Sequence, residues 1–236
     1  MSTDAIAEFA RAREHVLQQI ADACARAGRD PSTVTLVAIS KTVSADRLRA
    51  AVAAGLATLG ENRVQEAADK VPLLPGVTWH LVGPLQSNKV RRAVELFDVI
   101  QSVGSLDLAR RLDRSAAQVR PGRPLPVLLQ VNVDDDPGKA GFTPDAVAAA
   151  APELLDLPNL RMDGLMTIGR LVADPGLARP TFRALRALAE RLRAADDRLG
   201  GVLSMGMSAD YAVAVEEGAT IVRVGRALFG DRAAGG

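Results

Sequence analysis

Short apolar, β-branched runs alternate with amphipathic helical patterns along almost all of this 236-residue chain, and that alternation limits its fold more than any other feature. Strand-like runs occupy residues 35–39, 79–82, 98–100, 126–133, 160–165, 201–203 and 220–224, with a weaker one at 58–59. Between them, apolar residues recur at helical spacing over 44–54, 64–70, 87–96, 106–118, 144–155, 179–199 and 208–217. About eight such units without a break in composition predict an α/β chain folded as a single (β/α)8 TIM barrel over residues 1–236. An open doubly wound sheet is the alternative, because the run at 58–59 is thin. An additional helix precedes the first unit. Ile6, Phe9, Arg13, Val16, Leu17, Ile20 and Cys24 share one face and Gly28 ends it, so residues 1–30 are expected to pack on the barrel. Pro121, Pro124 and Pro126 read as a stiff loop before the fifth strand rather than a linker, and 134–139 and 172–176 as longer loops over the barrel mouth.

Composition narrows the function classes. A formal net charge of +1 creates no field that draws the chain to nucleic acid or anionic lipid, so neither is expected as a partner. The single cysteine, Cys24, rules out an intrachain disulfide and any cysteine-based metal cluster, and it reads as a small core residue of the first helix. The start, Met1-Ser2-Thr3-Asp4, lacks a basic region followed by an apolar run, and no stretch is long and apolar enough for a bilayer. A soluble cytoplasmic protein is expected. With His15 and His80 as the only histidines, no histidine-rich metal site can be built.

Barrel enzymes place their chemistry at the C-terminal ends of the strands. Polar or functional residues at those ends are Lys41, Glu61-Asn62, His80 with Gly83, Gln101-Ser102, Asn132, Met166-Thr167, Ser204-Met205-Gly206-Met207-Ser208, Arg223 and Gly225-Arg226. Lys41 closes the apolar run Val37-Ala38-Ile39-Ser40-Lys41. A lysine so placed is expected to be poorly solvated and easily deprotonated, as an amine must be to attack a carbonyl. Bringing it from ~10.4 to neutrality means about 4 kcal/mol of differential interaction. Taken alone, it reads as a strand-end lysine snorkelling to water.

The loops after the seventh and eighth strands sharpen that reading. Ser208 is a good N-cap, Gly206 lets the backbone approach a ligand, and Gly225-Arg226 repeats the arrangement at a second helix start. Either loop alone could be an ordinary cap, with Asp210 balancing the helix dipole; together they point to the usual phosphate site of this barrel. Arg223, in Thr-Ile-Val-Arg-Val-Gly, needs a buried acceptor. Glu61 or Glu217 would be a structural partner; a strand-eight position facing the mouth favours an acceptor atom on a ligand. His80, on an apolar strand, reads by itself as a hydrogen-bonded core residue. No G-x-S-x-G, H-E-x-x-H or Walker-type sequence is present.

In combination these segments resemble the pyridoxal-phosphate homeostasis protein family. The matching blocks are Val-Ala-Ile-Ser-Lys (37–41), Gly-Glu-Asn-Arg-Val-Gln-Glu (60–66), Trp-His-Leu-Val-Gly-Pro-Leu-Gln-Ser-Asn-Lys (79–89), Gln-Val-Asn (130–132), Gly-Lys-Ala-Gly-Phe (138–142), Gly-Leu-Met-Thr-Ile (164–168), Ser-Met-Gly-Met-Ser-Ala-Asp (204–210) and Arg-Val-Gly-Arg-Ala-Leu-Phe-Gly (223–230). The resemblance implies a barrel similar to that of alanine racemase and pyridoxal 5′-phosphate (PLP) bound as a covalent aldimine on Lys41. It further implies that Gly206, Met207, Ser208, Gly225 and Arg226 hold the phosphate, that Arg223 faces the pyridine nitrogen, and that Asn62, His80, Met166 and Ser204 complete the cofactor-binding set. This chain departs from the family's usual residues at Arg226, where serine or threonine is common, at Ala140 in Lys139-Ala140-Gly141, where serine is common, and at Asp136, where glutamate is common.

The resemblance also bears on turnover. Arginine only donates, so at the pyridine nitrogen it keeps the ring unprotonated and weakens it as an electron sink. Racemisation needs a second base on the opposite face of the substrate. In the racemase that base is a tyrosine from an additional domain of the partner subunit, whereas here the chain ends soon after the eighth strand and its only tyrosine, Tyr211, points to packing. The expectation is a monomeric PLP-binding protein of vitamin B6 and amino-acid homeostasis without robust catalysis, with apo PLP-dependent enzymes as possible recipients of the cofactor. The alternatives are a PLP-dependent amino-acid racemase and a cofactor-free Schiff-base aldolase using Lys41.

Overall fold

The computed structural model describes residues 3–169 and 174–230. Eight parallel strands form a closed barrel in sequence order: β1 (Thr35–Ile39), β2 (Thr58–Glu61), β3 (Thr78–Leu81), β4 (Val99–Val103), β5 (Leu125–Gln130), β6 (Leu160–Met166), β7 (Val202–Met207) and β8 (Ile221–Val224). The ring closes where β8 pairs with β1, with Val37 beside Arg223 and Ala38 beside Val224, and that seam excludes the open sheet. The connecting helices are α2 (Ala45–Ala53), α3 (Val64–Lys70), α4 (Val90–Leu96), α5 (Leu106–Val119), α6 (Pro144–Leu155), α7 (Arg179–Ala195) and α8 (Tyr211–Glu216), with a short α9 (Arg226–Phe229) after β8.

Strand alternation divides the apolar residues into two layers. Val37, Leu128, Met166 and Ile221, flanked by Ile39, Ile168 and Val202, fill the lumen, while the larger cluster lies between strands and helices. β2 is the thin strand of the sequence, and Gly60 is the reason. A Cβ at Gly60 would lie 2.7 Å from the Ile39 side chain and 2.8 Å from that of Val37, so the lumen admits no side chain there. The strand is nonetheless paired on both edges, Ile39 with Gly60 on one side and Gly60 with His80 on the other.

The N-terminal helix α1 (Thr3–Arg26) buries Phe9, Val16, Ile20, Ala23 and Cys24 and packs on α2, α8 and α9, so it covers the outside of the β8–β1 seam. Its end is a Schellman motif. Gly28, at φ +65°, donates to Ala25 O, and Arg29 donates to Cys24 O at 2.9 Å. Phe9 meets Phe229 of α9 edge-on, with ring centroids 5.7 Å apart.

Several boundaries differ from the sequence expectation. β4 continues past 100 to include Gln101 and Ser102, and β7 continues through Ser204-Met205-Gly206-Met207 instead of ending at 203. Residues 87–89 form a 3-10 turn before α4, and α8 begins at Tyr211 rather than 208. Polar and glycine-rich ends of strands lack the β-branched signal that marks their middles, although ladder pairing carries them on. Of the expected loop at 172–176, Val172 and Ala173 lie outside the described residues; Pro175–Ala178 forms a 3-10 turn.

Gly60→Val raises β-propensity but overfills the lumen. It is expected to lower stability by about 1–3 kcal/mol in urea unfolding. An unchanged or higher midpoint would show that the lumen has room at β2.

Candidate cofactor site

Val37 and Ile39 face the lumen, and Lys41, two residues farther on, continues that side into a turn at the barrel mouth. Its side chain is exposed, which corrects the expectation of an amine starved of solvent by apolar neighbours. Thr42, next in the chain, takes φ +64°, a left-handed conformation uncommon for a β-branched residue.

Below the mouth, four lumen side chains form one directed chain of hydrogen bonds. Arg223 on β8 donates through Nη1 to Ser204 Oγ at 2.6 Å and through Nη2 to Thr167 O at 2.7 Å. Ser204 on β7 donates its hydroxyl to Gln101 Oε1 at 2.6 Å, and Gln101 Nε2 on β4 lies 2.6 Å from His80 Nδ1 on β3. Because Gln101 accepts with its oxygen, its amide nitrogen donates, and the network assigns the His80 proton to Nε2. His80 is 4% exposed, and burial pulls the imidazole down to about 4, against a smaller upward pull from Asp98. Arg223 is buried as deeply. Burial lowers its guanidinium to about 10, opposed by Asp210, so it stays charged at neutral pH.

Neither carboxylate expected as a structural partner of Arg223 reaches it. Glu217 binds Arg179 and Arg183 on the outside of the barrel. Glu61 faces away from the lumen, where it accepts from Ser40 Oγ and from Lys70 Nζ of α3, both at 2.7 Å. Burial raises the Glu61 carboxyl in spite of Lys70.

The loops after β7 and β8 meet at one corner. Ser208 Oγ accepts from the Gly225 amide at 3.2 Å, so it joins the two loops and is not the helix cap its position suggested; Asp210 precedes α8. Asp210 turns its carboxylate to the Met207 amide at 2.7 Å. Burial raises that carboxyl, with the Met207 amide and Arg223 opposing. Gly206, at φ +89°, is required by the approach of α8. A Cβ there would lie 2.5 Å from Ala214 Cβ and 2.9 Å from Tyr211 Cα, so close helix packing by itself requires this glycine. The amides of Ser208 and Ala209 find no acceptor among the described residues, and the exposed Arg226 opens α9 beside them.

The remaining predicted residues divide. Met166 is fully buried in the lumen cluster. Asn62, half-buried, follows β2, and its carbonyl would lie 2.3 Å from a Cβ on Gly83, so the loop after β3 presses against it. Asn132 braces its own loop. Its Nδ2 donates to Asp136 O at 2.8 Å, while Lys139 lies between Asp134 at 3.8 Å and Asp136 at 3.5 Å. Ser87 of the 87–89 turn lines a surface hollow of about 320 Å³ together with residues of α4 and α5. Residues outside the predicted binding set, Gln101, Thr167, Glu66 and Lys70, carry much of the polar bonding. The sequence signals for Glu66 and Lys70 were their i,i+4 spacing and the place of Glu66 at the end of the matching block 60–66.

The family model described as "Alanine racemase, N-terminal domain" matches residues 11–233. A Pseudomonas aeruginosa protein named pyridoxal phosphate homeostasis protein is 44% identical over 219 residues, covering 92% of this chain and 93% of its own. The solved structure of Synechococcus elongatus PipY with PLP bound matches with a TM-score of 0.79 and 44% identity, over 89% of this chain and 100% of PipY. Alanine racemase from Corynebacterium glutamicum shares the fold alone, with a TM-score of 0.72 and 17% identity over 99% of this chain and 62% of the racemase. On sequence and fold together, the chain belongs to the pyridoxal phosphate homeostasis protein family, built on the alanine racemase N-terminal barrel.

Proposed function

We propose that the protein binds PLP as a Schiff base on Lys41 and acts in vitamin B6 and amino-acid homeostasis as a carrier rather than as an enzyme with sustained turnover. The observation that carries this reading is Arg223, buried and charged at the lumen end of the site with no carboxylate in contact among the described residues. A donor-only group suits an unprotonated pyridine nitrogen and opposes its protonation. Bound PLP supplies an aldehyde carbon with which the Lys41 amine condenses, with loss of one water. The Ser208 and Ala209 amides, with Arg226 and the start of α9, suit a phosphate at the corner that Ser208 and Gly225 tie together. Asn62, His80, Met166 and Ser204 then line the ring's surroundings. The PLP-bound relative at 44% identity supports the same cofactor here.

Sustained racemisation would need a second acid–base group near neutrality. Tyr211 is buried on α8, and its hydroxyl donates to Gln19 of α1, outside the lumen. His80 is held neutral, with Nδ1 already accepting from Gln101. These placements favour holding the cofactor over turning a substrate over.

Two experiments test this reading. Purified protein mixed with PLP is expected to develop a Schiff-base absorption band that is absent in Lys41→Ala, and borohydride reduction should fix the cofactor's mass on Lys41. An identical band in Lys41→Ala overturns the assignment, and racemisation of amino acids at rates typical of enzymes overturns the carrier reading.

The second experiment concerns His80. Above its ordinary value of 6.5 neither folded nor unfolded chain holds the proton and the residue is silent. As pH falls below 6.5 the unfolded chain takes a proton that the folded chain refuses until about 4, so stability drops across that window. At ~1.36 kcal/mol per pH unit, the loss on going from about pH 7.5 to about pH 4.5 is about 2.5 kcal/mol. Urea unfolding at those two pH values should show wild type losing that much more than His80→Gln; equal losses would mean that His80 titrates freely.

A further inference from the structure

Glu66 and Lys70 stand four residues apart on α3, in the order that favours a helical ion pair. An exposed pair of this kind does little. Here the Lys70 side chain is only 9% exposed, and its ammonium lies 2.7 Å from Glu66 Oε1, 2.7 Å from Glu61 Oε1 and 2.8 Å from the carbonyl oxygen of Ser40. Glu66 Oε1 also accepts from the backbone amide of Thr42. Ser40 adds its hydroxyl to Glu61 and its own amide to Gly60 O.

The Ser40 carbonyl and the Thr42 amide belong to the two peptide groups that flank the Cα of Lys41. Both are bonded to α3, one through Lys70 and the other through Glu66. We propose that Glu66 and Lys70 are positioning residues for Lys41, which fix both flanking peptide planes and so set the direction in which its side chain leaves the end of β1. The left-handed Thr42 fits this role, because a β-branched residue keeps φ +64° only where its surroundings hold it there. The exposed Lys41 side chain is thereby free to reach the mouth while its backbone is not free to move. This inference rests on the reading of Lys41 as the Schiff-base lysine and assigns work to Glu61 and Glu66 of the Gly-Glu-Asn-Arg-Val-Gln-Glu segment, in which cofactor contact is proposed for Asn62 alone.

The test uses the full chain and sets Glu66→Ala against Glu66→Gln. Glu66 is 25% exposed, alanine is a strong helix former, and Lys70 keeps Glu61, so thermal melting should confirm that both variants fold. Without cofactor, amide exchange at Thr42 read by NMR should accelerate about 10-fold in Glu66→Ala, the effect of losing one charge-assisted bond, and stay near wild type in Glu66→Gln, whose side-chain oxygen still accepts. After loading with PLP, the Lys41-dependent band should disappear about 10-fold faster into excess hydroxylamine in Glu66→Ala, with rescue by Glu66→Gln. Thr42 exchange unchanged in Glu66→Ala overturns the strap itself. Faster exchange with unchanged loss of the band overturns the positioning role alone. Absence of any Lys41-dependent band in wild type overturns the Schiff-base reading, and this role with it.

Discussion

The pairing of β8 with β1 sets everything at the mouth of this barrel. Its register places Val37 beside Arg223 and Ala38 beside Val224, so the strand that ends in Lys41 and the strand that carries the buried guanidinium are neighbours across a single ladder. Gly225 then falls against Ile39, and its amide meets Ser208 from the end of β7. Three separated segments of sequence reach one corner because the ring closes. The long α1, docked on α2, α8 and α9, buries apolar surface over the outside of that same seam. Its fully buried Phe9 and Val16 make closure a matter of core packing as well as of backbone bonding.

Two polar networks lie on opposite faces of the sheet, and the two-residue period of strands keeps them apart. His80, Gln101, Ser204 and Arg223 point inward, as does the lysine side of β1; Ser40 and Glu61 point outward to α3. Inside, hydrogen bonds in one direction satisfy a charge that has no counter-carboxylate in contact among the described residues. Outside, one ammonium serves two carboxylates and a carbonyl. Removing a member of either network strands a buried polar group, a change that costs about 1–3 kcal/mol for a neutral partner and more for a charged one. Each network therefore stabilises the strand ends that form the site.

Alternating strands and helices made the barrel legible, and lysine and arginine in otherwise apolar strands marked the two ends of the candidate site. What stayed hidden depended on register and tertiary approach. Glu61 and Asn62 are adjacent in sequence and equally polar, yet only the pairing of β2 with β1 decides which one faces α3. β2 itself was faint because the lumen at Gly60 excludes the β-branched residue that would have announced it. Gly206 was visible as a special position, but the approach of Ala214 and Tyr211 that requires it was not. Ser208 has the chemistry of a cap, but the loop after β8 lies close enough to claim its hydroxyl. The exposure of Lys41 was also out of reach, since solvent access at a strand end depends on loops contributed by the rest of the ring.

That exposure bears on how the proposed carrier would work. Enzymes that use an imine exclude water from it, because hydrolysis competes with the chemistry. A carrier has the opposite requirement: the bond must reverse, and water must reach the carbon to which the amine is joined. An exposed lysine on a pinned backbone satisfies both sides of this requirement. Pinning lowers the entropy lost on binding, which favours loading. Solvent access leaves the reverse hydrolysis open. The buried Arg223 would then supply orientation from below, in the part of the candidate site that Met166, His80 and Ser204 also keep from solvent.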